Sequence, residues 1–311
     1  MTVSGVTKTN STRDTIIYGA LRKVGAYATG GVPKSHQVTD ANTALNLMIK
    51  AWQIQNFLWI HQFVTIFQAK GQTSYDFPGS KGAVSYSETA LDGALSEDDT
   101  VITVDSSTGM AAEDTFGVIL SDGSIHWDTI VTVDSTTQVT ITDGVAGGTS
   151  NNAIVYSYNA VNALYRPTRI FQVQRLDTLG SDIEIDSMGR DDYARQVNKT
   201  AEGTITQYYY DAQLSTGVLY VWQPSSDNAG KLVLDVDRPL SIMIDSADTY
   251  DFPEEWIEVI LYGLAVRISP EYMVPMGERN SLIQTFSSMV SNLLDYDVEH
   301  TSLYLGADNH G

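Results

Sequence analysis

Five histidines (His36, His61, His126, His300 and His310) are the side chains best suited to metal ligation or to proton transfer near neutral pH. No two share the i, i+4 spacing that puts a pair of metal ligands on one helical face. Cysteine is absent, so thiolate metal sites, thiol nucleophiles and disulfides are excluded. No glycine-rich phosphate loop occurs. Gly147-Gly148 lies between strand-like runs with no helix after it and reads as a turn. A Gly-x-Ser-x-Gly elbow is also missing.

Carboxylates are abundant, and two of them at the right separation could cleave a glycoside. Their local settings favour plainer roles. Glu254 and Glu255 sit where a helix starts, and Glu97, Asp98 and Asp99 read as a solvated turn. The Asp/Ser/Thr-rich turns could hold calcium, but none has calcium-loop spacing. Tyr208-Tyr209-Tyr210 places alternate rings on opposite faces of a strand, where they could stack on a sugar, meet a subunit or pack within the fold. The expectation is a chain without catalytic or metal residues and without a cofactor.

Charge narrows the partners. The chain has 311 residues, with 38 acidic against 18 basic, for a net charge of −20. Such a surface repels nucleic acid and anionic membranes, so DNA binding by phosphate neutralisation is not expected. It would suit a surface that lies beside DNA without sticking. The first twelve residues are polar with no apolar signal core, and no run reaches the ~20 apolar residues of a membrane span. The expectation is a soluble protein made inside the cell.

The elements follow a helix, strand, helix order. The first helix starts near Ser11 or Thr12 and carries the stripe Ile16, Ile17, Ala20, Leu21 and Val24, with Gly25 as its stop. The second is capped at Thr39 or Asp40, carries Ala41, Ala44, Leu45, Met48 and Trp52, and ends near Asn56. Trp59 to Phe67 then turns aromatic and β-branched. Between about 86 and 158, short Thr/Val/Ile strands alternate with turns such as Asp122-Gly123 and Asp143-Gly144. Val101 to Ser106 is echoed by Ile130 to Ser135. A small β-barrel or sandwich is expected there. A second strand set, clearest at Ile170–Val173, Leu219–Trp222 and Leu232–Val236, runs on to about 248. Pro167, Pro224 and Pro239 sit at strand ends. Helical pattern returns after Asp251 or Phe252 as cap, with Trp256, Ile260, Gly263, Leu264 and Ile268 up to Ser269-Pro270. After Pro275 a final helix carries Leu282, Ile283, Phe286, Met289, Val290 and Leu293.

The expected fold class is therefore α+β. A discontinuous four-helix domain (1–62 and 249–297) is built from both chain ends. It carries a β domain (63–85 and 159–248), which in turn carries a small β module (86–158). A tail (298–311) follows. Leu21, Leu45, Trp52, Trp256, Leu264 and Phe286 should form the helical core.

Three segments carry a family resemblance. They are Ile17-Tyr18-Gly19-Ala20-Leu21-Arg22-Lys23-Val24-Gly25, Ala44-Leu45-Asn46-Leu47-Met48-Ile49-Lys50-Ala51-Trp52, and Asp251-Phe252-Pro253-Glu254-Glu255-Trp256 with Leu261-Tyr262-Gly263-Leu264-Ala265. In this order around a β insertion, they resemble the head-to-tail adaptors of short-tailed bacteriophages, also called head completion or packaged-DNA stabilisation proteins. The match covers about a third of the chain. The resemblance implies a structural virion protein at the portal–tail junction, in a ring of twelve copies beneath the capsid portal. DNA would pass through the lumen without sequence-specific binding. A downstream tail protein, such as a nozzle, fibre or tailspike, would bind next. The family's C-terminal tail reaches toward the portal, which makes Val298, Leu303, Tyr304 and Leu305 the portal-contact candidates. The resemblance brings no catalytic residues. A receptor- or carbohydrate-binding β protein of a phage is the alternative reading.

Overall fold

The structure is a computed structural model, and it describes residues 11–28, 30–54, 60–176, 181–226 and 230–296. Five α-helices are present among these residues: α1 (Arg13–Lys23), α2 (Ser35–Ile54), α3 (Arg190–Arg195), α4 (Trp256–Ile268) and α5 (Met276–Tyr296). Fifteen strands accompany them. In chain order they are β1 (Ile60–Phe67), β2 (Ser74–Phe77), β3 (Gly82–Ala83), β4 (Ser87–Ala90), β5 (Val101–Thr103), β6 (Thr115–Ile119), β7 (Ile125–Ser135), β8 (Gln138–Ile141), β9 (Ile154–Tyr158), β10 (Arg169–Leu176), β11 (Asp182–Glu184), β12 (Asp186–Ser187), β13 (Gln207–Ala212), β14 (Gly217–Trp222) and β15 (Lys231–Arg238).

This overturns the expected fold class. Over the described residues the protein is mostly β, with fifteen strands in three sheets and short helices, and is not a four-helix domain carrying a β insertion. The physical reason lies in where apolar alternation is longest. Residues 60–239 bury two large clusters of their own, whereas α4, the most apolar helix, has only 13 residues. The short α3 has no apolar stripe and was not legible as a helix.

The chain divides into two compact units, one of residues 1–59 with 240–311 and the other of residues 60–239. In the first, α1 buries Ile16, Ile17, Ala20 and Leu21, α2 buries Ala41, Leu45, Met48 and Ile49, and α4 buries Val259, Ile260, Leu264, Ala265 and Ile268. Helix α4 touches α1, α2 and α5. Small residues set these crossings. A Cβ on Gly19 would lie 2.3 Å from Leu261 Cδ1, and one on Gly263 would lie 2.6 Å from the Trp52 ring. The segment after β15 belongs with the helices, because Lys50 Nζ donates to the Leu240 carbonyl and Asn46 exchanges two hydrogen bonds with Met243.

Two helix starts differ from the sequence reading. Helix α2 begins at Ser35, so Thr39 lies inside it and turns its hydroxyl back to the Ser35 carbonyl. Helix α4 begins at Trp256. The turn before it closes from Trp256 N to the Pro253 carbonyl, and Asp251 accepts instead from Ser241 N.

In the second unit, a five-stranded sheet (β11-β10-β15-β1-β3) and a four-stranded sheet (β12-β13-β14-β2) share one core that includes Val64, Tyr75, Phe77, Leu219 and Leu234. The third sheet has six strands (β4-β9-β6-β7-β8-β5) around Phe116, Val118, Val139 and Val155. A Leu91–Val104 bridge beside β4 and β5 brings its two edges together, which shields strand edges that would otherwise recruit other chains.

Candidate functional site

Of the six residues expected in the helical core, Leu21, Leu45 and Leu264 are fully buried and Trp256 is 8% exposed. Trp52 and Phe286 are half-buried and stack at 5.7 Å with a 22° interplanar angle. These two rings with Trp256, Val290 and Leu294 line an open groove of about 450 Å³. The serines Ser287 and Ser291 are its polar contribution. The groove is mainly apolar and no charged side chain lines it. The tail residues Val298, Leu303, Tyr304 and Leu305 lie outside the described residues.

The histidines separate. His36 is exposed on the first turn of α2, His126 is half-buried on β7, and His300 and His310 lie outside the described residues. His61 on β1 is different. Its Nε2 is 2.6 Å from Asp235 Oδ1 and its Nδ1 is 3.2 Å from Asp237 Oδ1. Antiparallel pairing puts His61 opposite Asp237 on β15, and the two aspartates, two residues apart, share its face. Both side chains are largely buried, at 17% and 8% exposure, against 37% for His61. The ring also touches two exposed aromatics, Phe63 at 6.4 Å and Phe171 at 5.0 Å between centroids.

This Asp–His–Asp arrangement does not form a catalytic triad. Both imidazole nitrogens face carboxylates, so neither is aimed at a nucleophile. It does not make a metal cage either, since the two nitrogens point away from each other. Among the described residues no group of three His, Asp or Glu side chains has ligand geometry. Sequence reading missed the cluster because its members are separated by more than 170 residues and meet only through strand register. The one available signal was the alternation in Leu234-Asp235-Val236-Asp237, which projects two acids from one face of a strand.

The tyrosine run is used by the fold. Tyr208 is buried in the sandwich core, and Tyr210 packs against that core and donates its hydroxyl to the Pro167 carbonyl at 2.8 Å. Tyr209 stacks on Tyr220 of the neighbouring strand at 5.9 Å and 10°, and Tyr193 of α3 covers both. Burial raises the phenol pKa of Tyr193, Tyr208, Tyr209 and Tyr210, the last to about 12.

A second groove, of about 470 Å³, runs between Phe67, Trp127 and the 76–81 turn. Its polar lining is largely engaged with the chain: Gln72 donates to the Ser74 carbonyl and Ser80 Oγ accepts from Asp76 N. Nearby, the buried Lys231 ammonium pairs with Glu88 and lies 5.4 Å from the ring centres of both Tyr86 and Tyr156. That lock joins the five-stranded and six-stranded sheets.

No protein-family model matches the sequence, and no curated protein matches it.

Proposed function

We propose that this chain is a structural virion protein: an adaptor subunit that assembles as a ring, joins the capsid portal to the tail and extends the DNA channel. The observation that carries the reading is the packing of the segments that hold the family resemblance. Residues from both chain ends form one compact unit, with Gly19 against Leu261 and Gly263 against Trp52. These are the positions at which the resembling segments meet.

Two further features support it. The Trp52–Phe286 groove is an open apolar surface on that same unit, the kind of patch that a neighbouring subunit covers in a ring, where one pairwise gain repeats at every contact. The net charge of −20 favours a channel along which DNA slides instead of adhering. The absence of enzymatic activity is part of the proposal. The described histidine with two acidic neighbours, His61, has a carboxylate at each ring nitrogen.

The test is single-particle imaging and mass measurement of the purified chain alone and with portal rings. The expected result is a closed ring of twelve copies seated under the portal. Monomeric protein that neither forms a ring nor binds portal at micromolar concentration would refute the reading. The alternative, glycan recognition by the β unit, would instead show binding on a glycan array.

A further inference from the structure

We propose that the groove beside Trp127 and the 76–81 turn is a carbohydrate-binding site, with a neutral pyranose as its ligand. The inference rests on residues 60–239 alone and stands apart from the adaptor reading.

The lining is of two kinds. Phe67 of β1 with Ile125 and Trp127 of β7 are apolar, whereas Asp76, Lys81 and Thr216 are polar. A pyranose has the same two-sided chemistry. One face of its ring is a patch of C–H groups, and the hydroxyls around its rim can each donate and accept. The groove's volume of about 470 Å³ falls within the roughly 300–1,000 Å³ of small-molecule sites.

The indole is held as a platform. Strand pairing puts Gly117 in one row between Trp127 on β7 and Tyr156 on β9. A Cβ on Gly117 would lie 2.4, 2.6 and 2.8 Å from Cζ3, Cε3 and Cη2 of Trp127. Three nearly equal distances mean that the face of the benzo ring, and not its edge, covers the bare glycine. Phe67 at 5.4 Å and Tyr156 at 6.5 Å between ring centres brace the indole further. A ring fixed in this way loses little freedom when a ligand stacks on it.

The polar groups complete the site. Asp76 closes its turn through the main chain, donating from its N–H to Ser80 Oγ and accepting at its carbonyl from Ser80 N, and its side chain stays exposed. Lys81 Nζ lies 5.7 Å from the Trp127 ring centre, and Phe67 N donates to the Lys81 carbonyl, which ties that residue beside the platform. A carboxylate can accept from two sugar hydroxyls, and an ammonium can donate to others. These are the two charged residues of the lining, so the site carries no net charge, and the chain's −20 repels an anion. The ligand class is therefore a neutral sugar and not a nucleotide or a uronic acid.

The experiment is saturation-transfer NMR on the full chain with methyl glucoside, methyl galactoside, methyl mannoside and N-acetylglucosamine, with glucuronic acid as the anionic control. The method reads the sugar's own protons, so it serves for a monomer or a ring. The expected result is saturation of the C–H protons on one pyranose face of at least one neutral sugar, with a Kd on the order of 1 mM for so open a site. Asp76→Ala and Lys81→Met change exposed side chains, and each should weaken binding about tenfold. Gly117→Ala, with folding checked by near-UV circular dichroism, should displace the indole and weaken binding as well. Loss of affinity in either exposed variant supports the site. No saturation of any neutral sugar at millimolar concentration, a preference for glucuronic acid, or binding unchanged in both exposed variants would overturn the proposal. Ring assembly is measured separately: sugar binding without a ring would favour the alternative reading above, and sugar binding by a ring would leave the adaptor reading standing.

Discussion

Gly263→Ala sets two opposing effects of similar size against each other, so its sign is informative. Gly263 lies within α4 and has an ordinary helical backbone. Adding a methyl group there should favour the helix by about 1 kcal/mol. The new Cβ would meet Trp52 Cη2 at 2.6 Å, Cζ2 at 2.8 Å and Phe286 Cε2 at 3.1 Å. Normal carbon contacts begin nearer 3.5 Å, so the indole must retreat by roughly 1 Å. It is stacked on Phe286 and cannot move alone. Overpacking of this kind costs about 1–3 kcal/mol. The open groove beside both rings lets them yield, which favours the lower half of that range. The net expectation lies between no change and a loss of about 1 kcal/mol. The control is Gly277→Ala in the first turn of α5, where nothing lies within 4 Å of a built Cβ and a gain of about 0.5 kcal/mol is expected. The assay is urea unfolding followed by tryptophan fluorescence, comparing midpoints at constant slope. A cycle with Trp52→Ala isolates the clash, because without the indole Gly263→Ala should become stabilising. If Gly263→Ala stabilises the wild type as much as Gly277→Ala does, Trp52 does not pack on α4 and the account of this crossing is refuted.

Three further outcomes follow from other parts of the structure. Burial pushes the Tyr75 phenol up to about 12; with the folded value above the unfolded one, its contribution is complete below about pH 10 and is lost as pH rises toward 12. Alkaline unfolding should remove about 2–3 kcal/mol in that window, and Tyr75→Phe should flatten the loss. Glu88→Ala leaves Lys231 charged and buried and should cost roughly 3 kcal/mol in urea melts. Lys231→Met should cost less, because the more exposed Glu88 can be solvated. Removing residues after Glu299 should weaken co-sedimentation with portal rings without lowering the melting temperature, and equal binding by both proteins would place docking elsewhere.

How much of this was legible depends on the range of the interaction concerned. Local periodicity marked the helices well: Ile16, Ile17, Ala20 and Leu21 face inward as their spacing requires, and α5 starts just after Pro275. Alternation and turn pairs likewise located strands, with Asp122-Gly123 joining β6 to β7. What misled was the weight given to the ends of the chain. Four amphipathic stripes suggested a four-helix domain as the body of an α+β fold, yet two large core clusters lie within residues 60–239, and one of them joins β1, β10 and β15, which are far apart in sequence. Strand β1 shows why: it pairs with β15 and β3, and no feature within Ile60–Phe67 names either neighbour.

The same limit hid the cluster of His61 with Asp235 and Asp237. His61 looked isolated because histidine chemistry was sought at helical spacing, where partners are local. A strand supplies partners across the ladder instead. Register alone decides which acids arrive, and a shift of β1 by a single residue would turn His61 away from Asp235 and Asp237 altogether. That register is fixed by the apolar face, where Val64 and Ile66 pack with Leu232, Leu234 and Val236 in the sandwich core. The core that makes the protein mostly β therefore also fixes how closely one imidazole meets two carboxylates. Substitutions that loosen the core, such as Leu234→Ala, should disturb the His61 contacts before they unfold the sheet.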